Sequence, residues 1–200
     1  MANVSDVALR RRFKAWAGWT LAACGAVVAS VTLAPWPLGL FGGALAVTMI
    51  SIAAIDSRHF IIPDGLVLTA IGLGLTQAAF LATQEILPAV LMAAARGVIL
   101  GLAFWGLLKG YERLRGRPGI GLGDVKLAVA AGVWLDWPMI AVSIEIAALA
   151  ALAVVAVCYL RGKRISRTTP IPFGTFLAPA MWLGWLLQAA VPEMMFGIAG

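Results

Sequence analysis

The sequence predicts an all-α fold, a polytopic membrane bundle of about seven transmembrane helices (six to eight). Of its 200 residues, 62% are apolar and only 12% are charged, and the mean hydropathy is +0.97. Water-soluble domains of this size are far more polar. Apolar runs of about 20 residues cross a bilayer as helices, which satisfy their own backbone hydrogen bonds. We therefore expect residues 1–200 to form a single integral-membrane domain.

Proline, glycine and charged residues divide the chain into seven apolar runs. The first begins after a basic cluster and shows no cleavage site, so it predicts a retained helix. The fifth is short, and the segment WLDWP (134–138) after it predicts a tight turn with tryptophan anchors. If the two runs beside this turn formed one helix, or if one of them were broken in two, the number of helices would differ from seven. The predicted spans are 15–34, 38–55, 65–82, 88–109, 124–136, 138–160 and 173–191.

The cationic residues predict the orientation of these spans. If the N-terminus is cytoplasmic, 14 of the 15 Lys and Arg residues fall in inside segments. The exception, Arg96, lies within a span. Because Lys and Arg in short loops remain in the cytoplasm, the N-terminus is predicted inside and the C-terminus outside.

The charge and the cysteines exclude other classes of protein. The net charge of +6 is spread over loops between spans, so we predict contact with membrane lipid and no nucleic-acid partner. Cys24 and Cys158 lie in separate apolar runs and form no CxxC motif. Neither a metal site nor a disulfide framework is predicted.

Three aspartates fall on the predicted cytoplasmic side, at the edges of spans. Asp56 closes span two, Asp64 precedes span three and Asp124 opens span five within GIGLGDVKL. Asp64 and Asp124 suit helix N-termini, where Asp is a favoured cap. Asp56 has no such explanation, because the helix dipole is already negative at a C-terminus.

Asp56 and Asp124 therefore predict a carboxylate pair, contributed by two helices at one membrane depth. Such a pair hydrolyses an amide bond by sharing a proton: one carboxylate deprotonates water while the other protonates the carbonyl oxygen. This chemistry needs neither a metal nor a covalent intermediate.

Three motifs carry a resemblance to a known family. IDSRHFIIPD (55–64), GLGDVKL (121–127) and IPFGTFLAPA (171–180) occur in this order. Together they resemble the type IV prepilin peptidases, bacterial members of the GxGD class of intramembrane aspartic proteases. The resemblance covers most of the chain and assigns the two catalytic acids to Asp56 and Asp124.

The resemblance implies a multi-pass protein of the bacterial cytoplasmic (inner) membrane. It implies cleavage of the basic leader of prepilins or pseudopilins, just after a glycine, at the cytoplasmic face. The long members carry an N-terminal insertion with paired CxxC motifs that these 200 residues lack. The match is thus to the short, peptidase-only form, so no cofactor is predicted and S-adenosylmethionine, which serves N-methylation, is not assumed.

Other residues near the motifs allow two interpretations. Lys126 points away from Asp124 on a regular helix, so a lipid-facing role is favoured over catalysis, although the family pattern includes it. The broken backbone at 172–174 is either a simple helix start or a substrate-binding edge, and the second is favoured. The predicted supporting residues are Asp64, Gly121, Gly123, Lys126, Pro172, Phe173 and Gly174.

Two rival functions remain open at this stage. An ion-coupled transporter also places acids in membrane helices, but it typically has inverted repeats and midplane sites, which we do not find. A noncatalytic membrane subunit would make the acids dispensable. We also predict a buried contact between Arg96 and Glu145, because they are oppositely charged and lie about 12 and 10 Å from the outer face.

Overall fold

The computed structural model of the chain describes residues 4–82, 84–116, 121–162 and 172–190, and all regular structure within these ranges is helical. The predicted all-α bundle of seven helices is confirmed. The helices are α1 (Val4–Leu33), α2 (Leu38–His59), α3 (Asp64–Leu81), α4 (Ile86–Arg115), α5 (Leu122–Trp134), α6 (Trp137–Leu160) and α7 (Gly174–Ala190).

Five helices, α1, α2, α3, α4 and α6, are long and apolar enough to cross a membrane. The other two, α5 and α7, have 13 and 17 residues. A helix rises about 1.5 Å per residue, so α5 measures about 20 Å against a hydrocarbon core of about 30 Å. Helix α5 is therefore too short to cross the whole hydrocarbon core by itself.

Three helices extend several residues beyond their predicted spans. Helix α2 continues to His59 rather than 55. Helix α1 begins at Val4 rather than 15, and α4 continues to Arg115 rather than 109. The segment KGYERLR (109–115) consists mostly of helix-forming residues, so α4 continues after the apolar run ends. It stops at Gly116, whose φ of 65° is readily adopted by glycine.

The predicted turn at WLDWP separates two helices, as expected. Helix α5 ends at Trp134 and α6 begins at Trp137, with Leu135 and Asp136 between them. Pro138 stands in the first turn of α6, where its missing N–H costs no intrahelical hydrogen bond.

Helix α5 lies at the centre of the bundle. It packs against α3, α4, α6 and α7, while α2 packs against α1, α3 and α7. Close approach of α4 to α5 requires glycine: a Cβ on Gly132 would lie 2.6 Å from the Arg96 carbonyl oxygen. Within the described ranges, α4 has no Cα within 8 Å of α2, α6 or α7. Helix α5 therefore lies between α4 and the α6–α7 side of the bundle.

The predicted contact between Arg96 and Glu145 is wrong. The Arg96 guanidinium lies 3.3 Å from the Asp136 carboxylate and donates to the Gly132 carbonyl oxygen. Glu145 is exposed on α6, which does not touch α4. The prediction matched only the expected depths of the two residues, and depth does not determine which face of a helix a side chain occupies.

Candidate active site

Asp56 lies in the last turn of α2 and is only 5% exposed. Helix α2 ends at His59, and its C-cap is Phe60, a non-glycine residue with φ of 54°. This left-handed conformation costs about 1 kcal/mol. This left-handed residue reverses the chain into Ile61-Ile62-Pro63, after which α3 begins. The turn keeps the start of α3 close to Asp56.

The start of α7 holds the Asp56 side chain. Asp56 Oδ2 accepts hydrogen bonds from the Thr175 backbone N–H at 2.7 Å and from the Thr175 hydroxyl at 3.1 Å. Asp56 Oδ1 has no hydrogen-bond partner among the described residues. One oxygen is thus fixed by two donors.

Asp124 lies in the first turn of α5, three residues after the N-cap Gly121. Its Oδ2 accepts a hydrogen bond of 3.3 Å from the Gly121 backbone N–H. This is one half of a capping box, in which a side chain at the third helical position binds the N-cap N–H. The GxGD sequence therefore fixes the orientation of Asp124 from within its own turn.

Ile62 packs between the start of α5, which carries Asp124, and the start of α7, which binds Asp56. It is 7% exposed and packs against the glycines that neighbour the two acids. A Cβ on Gly123 would lie 3.1 Å from Ile62 Cβ, and a Cβ on Gly174 would lie 2.7 Å from Ile62 Cδ1. A Cβ at position 174 would clash with Ile62, whereas one at position 123 would require Ile62 to shift by a few tenths of an ångström.

Lys126 and Asp64 form an ion pair that joins the first turns of α5 and α3. Both side chains are substantially exposed, at 47% and 67%. The N-cap of α3 is Pro63, so the expectation that Asp64 caps this helix is wrong. Its carboxylate instead forms the ion pair with Lys126, and both residues line the cavity described below.

A cavity of about 1070 Å³ contains both carboxylates. Helix α4, the 60–64 turn, the start of α5 and the segment before α7 form its walls. Eight of the nine residues predicted from the sequence line it, and the ninth, Gly174, contacts Asp56. The lining residues that the sequence analysis named are Asp56, Asp64, Gly121, Gly123, Asp124, Lys126, Pro172 and Phe173.

The sequence analysis missed Thr175 and Ile62. Both stand inside the quoted motifs, Thr175 directly after PFG and Ile62 directly before Pro63. A polar residue in an otherwise apolar helix start was the available signal for Thr175. Ile62 is one of many isoleucines, and nothing in its local sequence identifies it as part of the site.

The arrangement provides two carboxylates that line one cavity. Such a pair can hold one shared proton and act as acid and base together. Within the described ranges, no group of three or more His, Cys, Asp or Glu side chains could hold a metal ion.

Comparison with known proteins gives a consistent result. Residues 43–160 match the sequence profile of the type IV leader peptidase family. Relatives named prepilin leader peptidase/N-methyltransferase include one from Pseudomonas aeruginosa, 32% identical over 153 residues, which cover 76% of this chain and 51% of the relative. Another, from Burkholderia pseudomallei, is 39% identical over 160 residues, with coverage of 76% and 50%.

A shorter relative matches over most of its length. Leader peptidase HopD of Escherichia coli is 36% identical over 133 residues, which cover 65% of this chain and 82% of HopD. By contrast, the chain spans about half the length of the prepilin leader peptidase/N-methyltransferases. No solved structure matches the chain.

Proposed function

The chain belongs to the type IV leader peptidase family, and from this premise we propose that it is an aspartic endopeptidase of prepilins or pseudopilins. It cleaves their basic leader after a glycine, at the cytoplasmic face of the bacterial inner membrane. The observation that carries the proposal is the pair Asp56 and Asp124, brought by two helices into one cavity. Co-expression with a candidate prepilin tests it, since a precursor band should shift to the mature size.

The proposed reaction uses the two carboxylates and water. Asp56 removes a proton from water as its oxygen attacks the scissile carbonyl carbon, and Asp124 donates a proton to the carbonyl oxygen. The C–N bond then breaks as Asp56 returns its proton to the leaving nitrogen and Asp124 recovers one from the hydroxyl. Both acids regain their starting state, so the reaction consumes only water.

The hydrogen bonds support this assignment of roles. Asp56 Oδ2 accepts from two donors of Thr175, whereas Asp124 Oδ2 accepts the single, longer bond from Gly121. Donors aimed at a carboxylate favour its ionised form over its protonated form. We therefore assign the role of base to Asp56 and the shared proton to Asp124.

Thr175→Val should lower kcat by about 10- to 100-fold, because it removes a hydroxyl hydrogen bond to a charged group worth about 1.5–3 kcal/mol. KM should change little, since Thr175 contacts Asp56 rather than the peptide in this mechanism. Initial rates of leader cleavage at varied peptide concentration measure both constants.

Thr175→Ser provides the matched control. Serine keeps both the backbone N–H and the hydroxyl, so most of the activity should remain. Equal activity in the Val and Ser variants would contradict a role for the hydroxyl in positioning Asp56.

The ion pair between Lys126 and Asp64 is expected to support the site without taking part in the reaction. Exposed ion pairs contribute about 0–1 kcal/mol, so Lys126→Met or Asp64→Asn should lower kcat/KM by no more than about 5-fold. The double variant should be no worse than either single variant, because each removes the same contact. Complete loss of cleavage in Lys126→Met alone would show that Lys126 acts directly on the substrate.

The proposal includes no metal and no cofactor, because two carboxylates and water suffice for peptide hydrolysis. Cleavage is accordingly expected to proceed in the presence of EDTA and without S-adenosylmethionine. The basic residues near the cavity end of the bundle support the cytoplasmic location of the dyad. They include Arg58, Lys109, Arg113, Arg115, Lys126 and Arg161.

A further inference from the structure

Polar side chains that take no part in the proposed reaction meet at the end of α5 opposite the cavity. Arg96 of α4 donates through Nε to the Gly132 carbonyl oxygen at 3.3 Å, and its guanidinium lies 3.3 Å from the Asp136 carboxylate. The Asp136 backbone N–H donates to Gln188 Oε1 of α7 at 3.0 Å. We call Arg96, Asp136 and Gln188 the distal cluster. It joins α4, the turn after α5, and α7.

Arg96 binds the last turn of α5. It lies inside a helix long and apolar enough to cross a membrane, where a cation is costly unless it has partners. Its partners are a carboxylate and a carbonyl oxygen near the C-terminus of α5, where the helix dipole is negative. The backbones of α4 and α5 touch beside this contact, since a Cβ on Gly97 would lie 2.9 Å from the Val129 carbonyl oxygen. The contact thus fixes the end of α5 against α4.

The position of α5 along the bundle axis depends on such side contacts. Helix α5 has 13 residues and is about 10 Å shorter than the hydrocarbon core, so the two membrane interfaces cannot hold both of its ends. Gly132 lies eight residues after Asp124, about 12 Å along the helix. Helix α5 contains no proline, the usual cause of a sharp kink. A displacement at Gly132 along the axis therefore also moves Asp124.

Gln188 connects the same turn to the helix that holds Asp56. Helices α5 and α7 run parallel, because both begin beside the cavity and both end at the distal cluster. Thr175, which binds Asp56, lies 13 residues before Gln188, about 20 Å along α7. The hydrogen bond between Asp136 and Gln188 therefore sets the axial offset between the helix that carries Asp124 and the helix that binds Asp56.

We propose that Arg96 and Gln188 are positioning residues, which set the separation of Asp56 and Asp124 through the axial offset of α5 and α7. The inference rests on the proposed function and adds a remote determinant of its rate. Both residues lie at the end of α5 away from the cavity, so neither contacts the substrate. Loss of either contact lets α5 shift along its axis, which changes the distance between the two carboxylates and lowers kcat rather than the affinity for peptide.

Arg96→Met and Gln188→Met should each lower kcat by about 5- to 20-fold and change KM by less than about 2-fold. A misplacement of about 1 Å at a catalytic group can cost about 100-fold in rate, and each variant removes only one of the two contacts that hold α5. The double variant should therefore approach a loss of about 100-fold. Initial rates of cleavage of a synthetic prepilin peptide by the full chain in liposomes measure both constants.

Conservative variants separate positioning from general stability. Gln188→Glu keeps an oxygen that accepts from the Asp136 N–H, and Arg96→Lys keeps a cationic donor, so each should retain most of the kcat. Gln84→Met is the matched control for Gln188→Met, because it makes the same change at an exposed position between α3 and α4. It should leave both constants unchanged. The midpoints of thermal unfolding in detergent should be similar for all of these variants.

Normal kcat in either Arg96→Met or Gln188→Met would overturn the proposal, while cleavage by these variants would uphold the proposed function. A rise in KM at unchanged kcat would also contradict it, since the cluster would then act on substrate binding. If kcat fell only together with the unfolding midpoint and neither conservative variant retained activity, the two residues would be ordinary stabilising contacts, and the proposal would be wrong. If the unmodified chain did not cleave the peptide, the proposed function itself would fail, and this inference with it.

Discussion

Asparagine in place of Asp56 or of Asp124 should abolish leader cleavage, with a loss on the order of 10⁴-fold, as is typical when a member of a catalytic unit is removed. Asparagine preserves the size and an acceptor oxygen but cannot exchange the proton that the mechanism requires. The conversion of precursor to mature product, followed over time with purified protein, measures the loss.

The losses of activity from the two substitutions should not add. The double variant Asp56→Asn, Asp124→Asn is expected to be no slower than either single variant, because each alone already stops proton transfer. Glu145→Gln is the matched control, since it changes a carboxylate to an amide on an exposed face of α6. It should retain normal activity. Near-normal processing by either single Asn variant would contradict the proposed dyad.

Gly174→Ala is expected to lower kcat by about 100-fold while leaving the protein folded. The added Cβ would lie 3.0 Å from Asp56 Oδ2 and 2.7 Å from Ile62 Cδ1. Contacts below 3.4 Å force a displacement, and a displacement of about 1 Å at a catalytic group can cost about 100-fold in rate. Alanine is also a better helix former than glycine by about 1 kcal/mol, so loss of the fold is not expected from the helix itself.

Gly65→Ala is the control for this substitution. Gly65 follows Asp64 near the cavity, but a Cβ there would meet no atom within 4 Å. Its activity should remain near normal. Thermal unfolding in detergent should show similar midpoints for both alanine variants. If Gly174→Ala cleaves at the normal rate, close packing of Asp56 against α7 is unimportant for catalysis.

The number and order of the helices could be predicted because each apolar run is long enough to require a helix in lipid. The ends of the helices were less predictable. The segment KGYERLR reads as a polar loop by hydropathy, yet it extends α4 to Arg115. Hydropathy reports where a helix leaves the membrane, whereas backbone hydrogen bonding determines where it ends.

The two aspartates could be predicted because Asp56 is electrostatically unfavourable where it stands and GxGD is a distinctive motif. The residues that hold these and other charged side chains in place could not be predicted. Thr175 binds Asp56 across 119 residues of sequence, and Arg96 binds Asp136 rather than Glu145. Such contacts depend on the rotation of each helix about its axis, which apolar runs without a polar face do not specify.

Cleavage of a prepilin peptide by the purified chain tests the central claim most directly. The chain is reconstituted in liposomes with EDTA, and the products are identified by mass spectrometry. We predict two fragments whose masses place the cut directly after the leader glycine, and no fragments from the Asp124→Asn chain. An intact peptide after prolonged incubation with the folded chain, or equal cleavage by the Asp124→Asn chain, would contradict the account.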